Sequence, residues 1–137
     1  ASRITAVTDP INTAASQTYQ YDVLDRLTVA QTGNPVAHTQ QFGYDGVGNR
    51  LNKTVDGSLT NYTYPGTSNQ LTALTGATSR SFSYDGAGNP TTIADQTHPY
   101  NNANQLTAIR NGATTIVSYS LALPSMSTML AAQRRYV

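Results

Sequence analysis

A tyrosine flanked by an aromatic two positions before it and an aspartate straight after it recurs along this 137-residue chain. Aligned on that tyrosine, the units centre on Tyr21, Tyr44, Tyr64, Tyr84, Tyr100 and Tyr119, at intervals of 23, 20, 20, 16 and 19 residues. The earlier aromatic is Tyr19, Phe42, Tyr62 or Phe82, with His98 and Val117 in that place later. The following residue is Asp22, Asp45 or Asp85, replaced elsewhere by Pro65, Asn101 and Ser120. A period this short limits the fold. Each unit is one supersecondary element, too small to bury a core alone, so stability must come from contact with its neighbours.

Each part of the repeat has a local physical meaning. Aromatics at i and i+2 point to one side of a strand, because side chains alternate faces with a period of two. The residues between them, Gln20, Gly43, Thr63 and Ser83, are small or polar and suit the wet face. An aspartate after the second aromatic can accept hydrogen bonds from backbone N–H groups of a following turn. Gly48-Asn49 and Gly88-Asn89 then supply residues that take positive φ readily. An apolar stretch resumes beyond, as at Leu27-Thr28-Val29, Leu51, Leu71-Thr72-Ala73-Leu74 and Leu106-Thr107-Ala108-Ile109. The motif therefore reads as strand, capped turn, strand.

A second set of turns lies between the first. Asp56-Gly57 and Asn111-Gly112 are two-residue hairpin signals flanked by strand-forming residues. Gly33-Asn34-Pro35, Thr75-Gly76-Ala77 and the weaker Asp95-Gln96 occupy equivalent places. Long aspartate-capped turns and short glycine turns alternate about every ten residues. The expected fold class is all-β, an antiparallel hairpin meander. Strands are expected at 18–22, 41–45, 61–65 and 81–85, with returns at 26–31, 50–55, 70–75 and 105–110. Arg3-Ile4-Thr5-Ala6-Val7 reads as the back half of a unit cut at its front.

Composition supports that reading and excludes several function classes. Charged residues are 11% of the chain, against roughly 25% in an average soluble domain. All seven acidic residues are aspartate, and the net charge is +1. That balance fits neither a basic nucleic-acid binder nor an acidic tail. There are 21 threonines and 11 asparagines, and nine of the eleven aromatics are tyrosine. Cysteine is absent, so disulfides and thiolate metal sites are excluded. No apolar run reaches the ~18 residues of a membrane helix. The start, Ala1-Ser2-Arg3-Ile4-Thr5, has neither an initiator Met nor a signal-peptide pattern and reads as an interior cut.

Residues 19–28 (Tyr-Gln-Tyr-Asp-Val-Leu-Asp-Arg-Leu-Thr), 42–51 (Phe-Gly-Tyr-Asp-Gly-Val-Gly-Asn-Arg-Leu) and 82–89 (Phe-Ser-Tyr-Asp-Gly-Ala-Gly-Asn) closely resemble YD repeats, the units of Rhs-type proteins. About five successive units over residues 1–119 carry the resemblance. Rhs polymorphic toxins, cocoon subunits of insecticidal Tc toxins and teneurins belong to that group. The resemblance implies a long β-strip that curls into a hollow shell, which in the toxins encloses a cytotoxic C-terminal segment. It further implies a bacterial protein that is secreted or on the cell surface, with the rest of such a shell, or copies of itself, as partner. The chain departs from the family in having few units and no Asp-Pro-x-Gly-Leu-type core. Its tail, residues 120–137, is degenerate and breaks the alternation, although Gln133-Arg134-Arg135-Tyr136-Val137 resembles a strand of such shells.

Each repeated residue has a chemical and a structural reading. Paired aspartates can do general acid–base work, but Asp22, Asp45 and Asp85 recur beside turn residues and read as turn caps. One aspartate per turn is too few ligands for Ca²⁺. No metal or cofactor is expected, and no enzymatic activity. Gly48, Gly57, Gly88 and Gly112 read as turn glycines. His98 occupies an aromatic strand position and reads as packing. The aromatics Tyr19, Tyr21, Phe42, Tyr44, Tyr62, Tyr64, Phe82, Tyr84, Tyr100 and Tyr119 form a ladder with two readings. Rings and aliphatics fill one sheet face as structure, or the rings form a platform on which glycans stack. The expected function is a structural repeat segment of a shell or scaffold. The alternatives are a carbohydrate- or cell-surface-binding module and a self-assembling extracellular β polymer.

Overall fold

In the computed structural model, residues 3–33 and 38–120 are described. The chain divides into two compact units, Ala1–Phe82 and Ser83–Val137. Within each unit the described strands pair antiparallel with their neighbours in sequence order, so each is an all-β meander.

The first unit holds β1 (Ala6–Val7), β2 (Gln17–Tyr21), β3 (Leu27–Thr32), β4 (His38–Tyr44), β5 (Arg50–Val55), β6 (Ser58–Thr63) and β7 (Ala73–Gly76), with β8 (Arg80–Tyr84) crossing the division. The second holds β9 (Pro90–Ile93), β10 (Gln96–Thr97), β11 (Ala108–Asn111) and β12 (Thr114–Ser118). The expected period of two is visible in β2, where Tyr19 and Tyr21 are half-buried and Gln20 is exposed. The same alternation places Phe82 and Tyr84 of β8 on one face and Ser83 on the other.

Three short turns differ from the sequence reading, each for a local reason. In the β11–β12 pair Asn111 lies opposite Thr114, so the turn is Gly112-Ala113, and a bulge between Ile109 and Arg110 shifts the register by one further from the turn. Gln96 pairs with Ile93 and with Asn111. It belongs to a strand, and the turn moves back to Ala94-Asp95, with Ala94 at φ 53°. Gly76 is not a turn centre but the last residue of β7, opposite Thr60. The Asp56-Gly57 turn lies where expected, with φ 49° and 84° at its two residues and Val55 opposite Ser58. Asn34 and Pro35 of the expected turn after Gly33 fall outside the described residues, as does the tail from residue 121.

The layer is thin. Among the described residues the one buried apolar side chain is Ala108, and Thr60 and His98 are the buried polar ones. The repeat aromatics are half-buried rather than fully enclosed, apart from Tyr119, which is exposed. Among the described residues that face is covered only by the sheet's own side chains, and none of its rings is sealed from water.

His98 is the exception in the aromatic column. It is 8% exposed, and its Nδ1 is buried with no hydrogen-bond partner among the described residues. The matching place one unit earlier holds Phe82. His98→Phe is expected to raise stability by ~1 kcal/mol, because an orphaned buried polar atom is removed. Urea denaturation measures it, and a clear loss of stability would show that the ring nitrogen is satisfied.

Candidate functional site

The functional candidates of this chain lie at the aspartate turns and the rings beside them, and all are tied into one repeated construction. In the first turn, Asp22 Oδ1 accepts the N–H groups of Leu24 at 2.9 Å and Arg26 at 3.0 Å, and Oδ2 accepts Arg26 Nε at 2.7 Å. In the second, Asp45 Oδ1 accepts Val47 N–H and Asn49 N–H, and Oδ2 accepts Asn49 Nδ2 at 2.9 Å. Asp85 does the same with Ala87, Asn89 and Asn89 Nδ2. Asn101 reproduces the Oδ1 half of the pattern with Ala103 and Gln105, and its Nδ2 donates to Gln105 Oε1.

The third turn residue after each cap must take positive φ, and it does so at Asp25 (64°), Gly48 (98°), Gly88 (86°) and Asn104 (57°). Glycine, asparagine and aspartate are the residues that tolerate this region. A backbone pair closes each loop, as in Asp45 N–H to Asn49 O at 2.9 Å and Gly48 N–H to Asp45 O at 3.3 Å.

These bonds lower the carboxyl pKa values. Asp22 is held below the ordinary aspartate range chiefly by Arg26 N–H, and Asp85 chiefly by the Asn89 side chain. At Asp45 partial desolvation pushes upward most strongly, but the combined bonds from Asn49, Val47 and Gly48 outweigh it. Asp56 is lowered chiefly by His38, whose Nδ1 lies 3.0 Å from Oδ2, and by Thr39 N–H. A carboxyl whose folded pKa is depressed stabilises the fold above its unfolded pKa and loses that contribution as pH falls through the folded value. Urea midpoints are therefore expected to be flat from neutral pH down to ~pH 5 and to drop between ~pH 5 and pH 2. A pH-independent midpoint over that range would refute the capping role.

The second tyrosine of a unit reaches back to the unit before it. Tyr21 donates its hydroxyl to Ile4 O at 2.9 Å, and Tyr44 donates to Leu27 O at 2.9 Å. An arginine next to that carbonyl reaches forward. Arg3 Nη1 donates to Asp22 O at 3.0 Å with its guanidinium 5.6 Å from the Tyr21 ring centre. Arg26 Nη1 donates to Asp45 O at 2.6 Å and stacks 4.8 Å from the Tyr44 ring centre. Tyrosine and arginine thus form a reciprocal staple across successive units, repeated at the same offsets. Arg50 lies over both Phe42 (4.9 Å) and Tyr62 (5.8 Å), and Lys53 over Phe42 (6.0 Å). Later links use amides: Asn49 Nδ2 donates to Asn69 Oδ1, and Asn89 Nδ2 to Asn104 Oδ1.

The remaining ladder residues sit on the same strands. Tyr19 donates to the Gln17 side chain within β2. Tyr64 follows the end of β6, and Tyr100 bridges Leu106. Tyr119 continues the β12 ladder, its N–H donating to Thr107 O at 2.9 Å. Sequence reasoning missed the arginines. Their signal was present, since Arg26 falls four residues after its cap and Arg3 precedes an apolar strand as Arg26 does, but a lone cation on a turn reads as solvated. Among the described residues no group of three or more His, Cys, Asp or Glu side chains could hold a metal ion. No helix there is long and apolar enough to cross a membrane.

No family model matches the chain, and no curated protein matches it.

Proposed function

We propose that this chain is a structural repeat strip, a segment that builds the wall of a larger β-shell or scaffold. The observation that carries the reading is the reciprocal staple. Asp22 and Asp45 have carboxylates filled by their own turns, while the tyrosine hydroxyls and arginines beside them bond the neighbouring unit. The polar groups that could perform chemistry are thereby engaged in joining units. The resemblance of residues 19–28, 42–51 and 82–89 to YD repeats agrees with this, and by that resemblance the protein belongs in a secreted or surface-displayed bacterial assembly.

The glycan platform on the ladder is the weaker alternative. A sugar stacks on an open ring face, and Arg3, Arg26, Arg50 and Lys53 lie over the faces of Tyr21, Tyr44, Phe42 and Tyr62.

Limited proteolysis of the natural polypeptide, with and without the pair Arg26→Ala and Tyr44→Phe, tests the scaffold reading. Breaking one staple is expected to expose cleavage sites both in the strip and in the segments or copies that pack on it. Cleavage confined to the strip's own loops, with everything else as protected as before, would overturn the proposal.

A further inference from the structure

The chain contains three Asp-Gly pairs, Asp45-Gly46, Asp56-Gly57 and Asp85-Gly86, and one Asn-Gly pair, Asn111-Gly112. At such pairs a polypeptide most readily attacks its own side chain, because glycine has no Cβ to shield the next backbone nitrogen. The structure separates the four sharply.

The three aspartates are held against reaction. Asp45 and Asp85 have both carboxylate oxygens bonded within their own turns. Asp56 Oδ1 accepts Thr39 N–H at 2.7 Å, and its Oδ2 lies 3.0 Å from His38 Nδ1. A carboxylate fixed in this way stays ionised, and an anion repels a nucleophile. Its Cγ is also not free to swing towards the following nitrogen.

Asn111 differs on each count. It is exposed at the end of β11, and its neutral amide makes no hydrogen bond among the described residues. Gly112 N–H has no partner among them either. Nothing lies within 4 Å of where a Cβ on Gly112 would stand, so the space for a ring is open. This end of the hairpin is also weakly held. Two pairs, Arg110–Thr115 and Asn111–Thr114, lie between the bulge and the turn, and all five residues of β12 are exposed. A segment with so little burial opens locally at low cost. Opening lets the Asn111 backbone rotate until Gly112 N faces Asn111 Cγ.

We propose that Asn111 is a site of self-modification, where the chain converts its own asparagine to isoaspartate and aspartate. Solvent base takes the Gly112 N–H proton, and the nitrogen forms a bond to Asn111 Cγ. The Cγ–Nδ2 bond breaks, and Nδ2 leaves as ammonia after taking a proton from water. A succinimide ring remains, and water opens it. Addition at Cγ breaks the new bond and gives aspartate. Addition at the Asn111 backbone carbonyl carbon breaks the original peptide bond, leaves the chain running through Cγ and gives isoaspartate. In sum an amide and water become an acid and ammonia, with nothing oxidised or reduced. Both products put a carboxylate beside Arg110 and lower the formal net charge of +1 by one. Isoaspartate also lengthens the main chain by one carbon and displaces the Asn111–Thr114 pair that sets the turn. The site uses no cap, ring or staple, and the inference does not rest on the scaffold reading.

Incubation of the chain in heavy-oxygen water at neutral pH tests it, read by peptide mass spectrometry and by isoaspartyl methyltransferase labelling. The peptide carrying residue 111 is expected to take up heavy oxygen and to label about tenfold or more faster than any other asparagine or aspartate, a barrier lower by ~1.4 kcal/mol. Asn111→Gln is expected to abolish the labelling of that peptide, with circular dichroism confirming that the variant is folded. In urea, where the turn bonds are lost, labelling at Asp45, Asp56 and Asp85 is expected to rise. An intact amide at Asn111 while other asparagines convert would overturn the proposal. So would labelling at the three aspartates of the folded chain as fast as at Asn111, or no rise at them in urea.

Discussion

Gly76→Ala is expected to be among the most damaging single-methyl changes in the first unit, lowering its stability by ~2–5 kcal/mol as the sum of two effects. Gly76 ends β7 at φ 97°, a conformation that costs an L-residue ~1–2 kcal/mol. A Cβ there would also overlap the carbonyl oxygen of Leu59 on β6. That oxygen cannot withdraw freely, because it accepts Ala77 N–H at 2.8 Å. Overlap with fixed backbone typically adds ~1–3 kcal/mol. Two other glycines separate the causes. Gly48 has φ 98° but open space around its Cβ position, so Gly48→Ala tests conformational strain alone. At Gly43, where φ is ordinary, a Cβ would meet the Asn52 side chain at 2.6 Å, and that amide can swing away. Urea denaturation is expected to rank Gly76→Ala as the most costly of the three. Equal losses at Gly76 and Gly48 would show that the close approach to Leu59 contributes nothing.

Tyr44→Ala is expected to cost ~2–3 kcal/mol, below the ~3–5 kcal/mol of a fully enclosed ring, because Tyr44 is only half-buried. Three contributions are lost together: part of the ring burial, the bond to Leu27 O, and the platform under the Arg26 guanidinium. Tyr44→Phe isolates the hydroxyl and is expected to cost ~1 kcal/mol. Arg26→Ala removes the forward half of the same staple. Because Arg26 and Tyr44 touch, the double variant is expected to depart from additivity by ~0.5 kcal/mol or more. A Tyr44→Ala protein with an unchanged denaturation midpoint would mean that the ring is surface decoration, and would remove the observation on which the scaffold reading rests.

The strand pattern was legible because it depends on contacts one and two residues apart. Tyr-x-Tyr alternation located β2, Phe-x-Tyr located β4 and β8, and the Asp-x-x-Gly-Asn runs located the turns at Asp45 and Asp85. Leu27 and Arg50 begin the return strands within a residue of expectation. The predicted return at 70–75 lies at Ala73–Gly76, and the one at 105–110 at Ala108–Asn111. The one-residue slips at Gly112-Ala113 and Ala94-Asp95 come from cross-strand register. Register is decided by which partner a strand meets, and a bulge such as that at Ile109/Arg110 leaves no local sequence mark.

The fold class and the turn caps therefore follow from sequence by itself, since an aspartate beside its own turn finds its donors two and four residues away. What the tertiary structure alone decided is what each unit does to the next. The bond from Arg26 to Asp45 O spans 19 residues and that from Tyr44 to Leu27 O spans 17. Neither exists until adjacent hairpins are laid side by side at ~4.8 Å spacing.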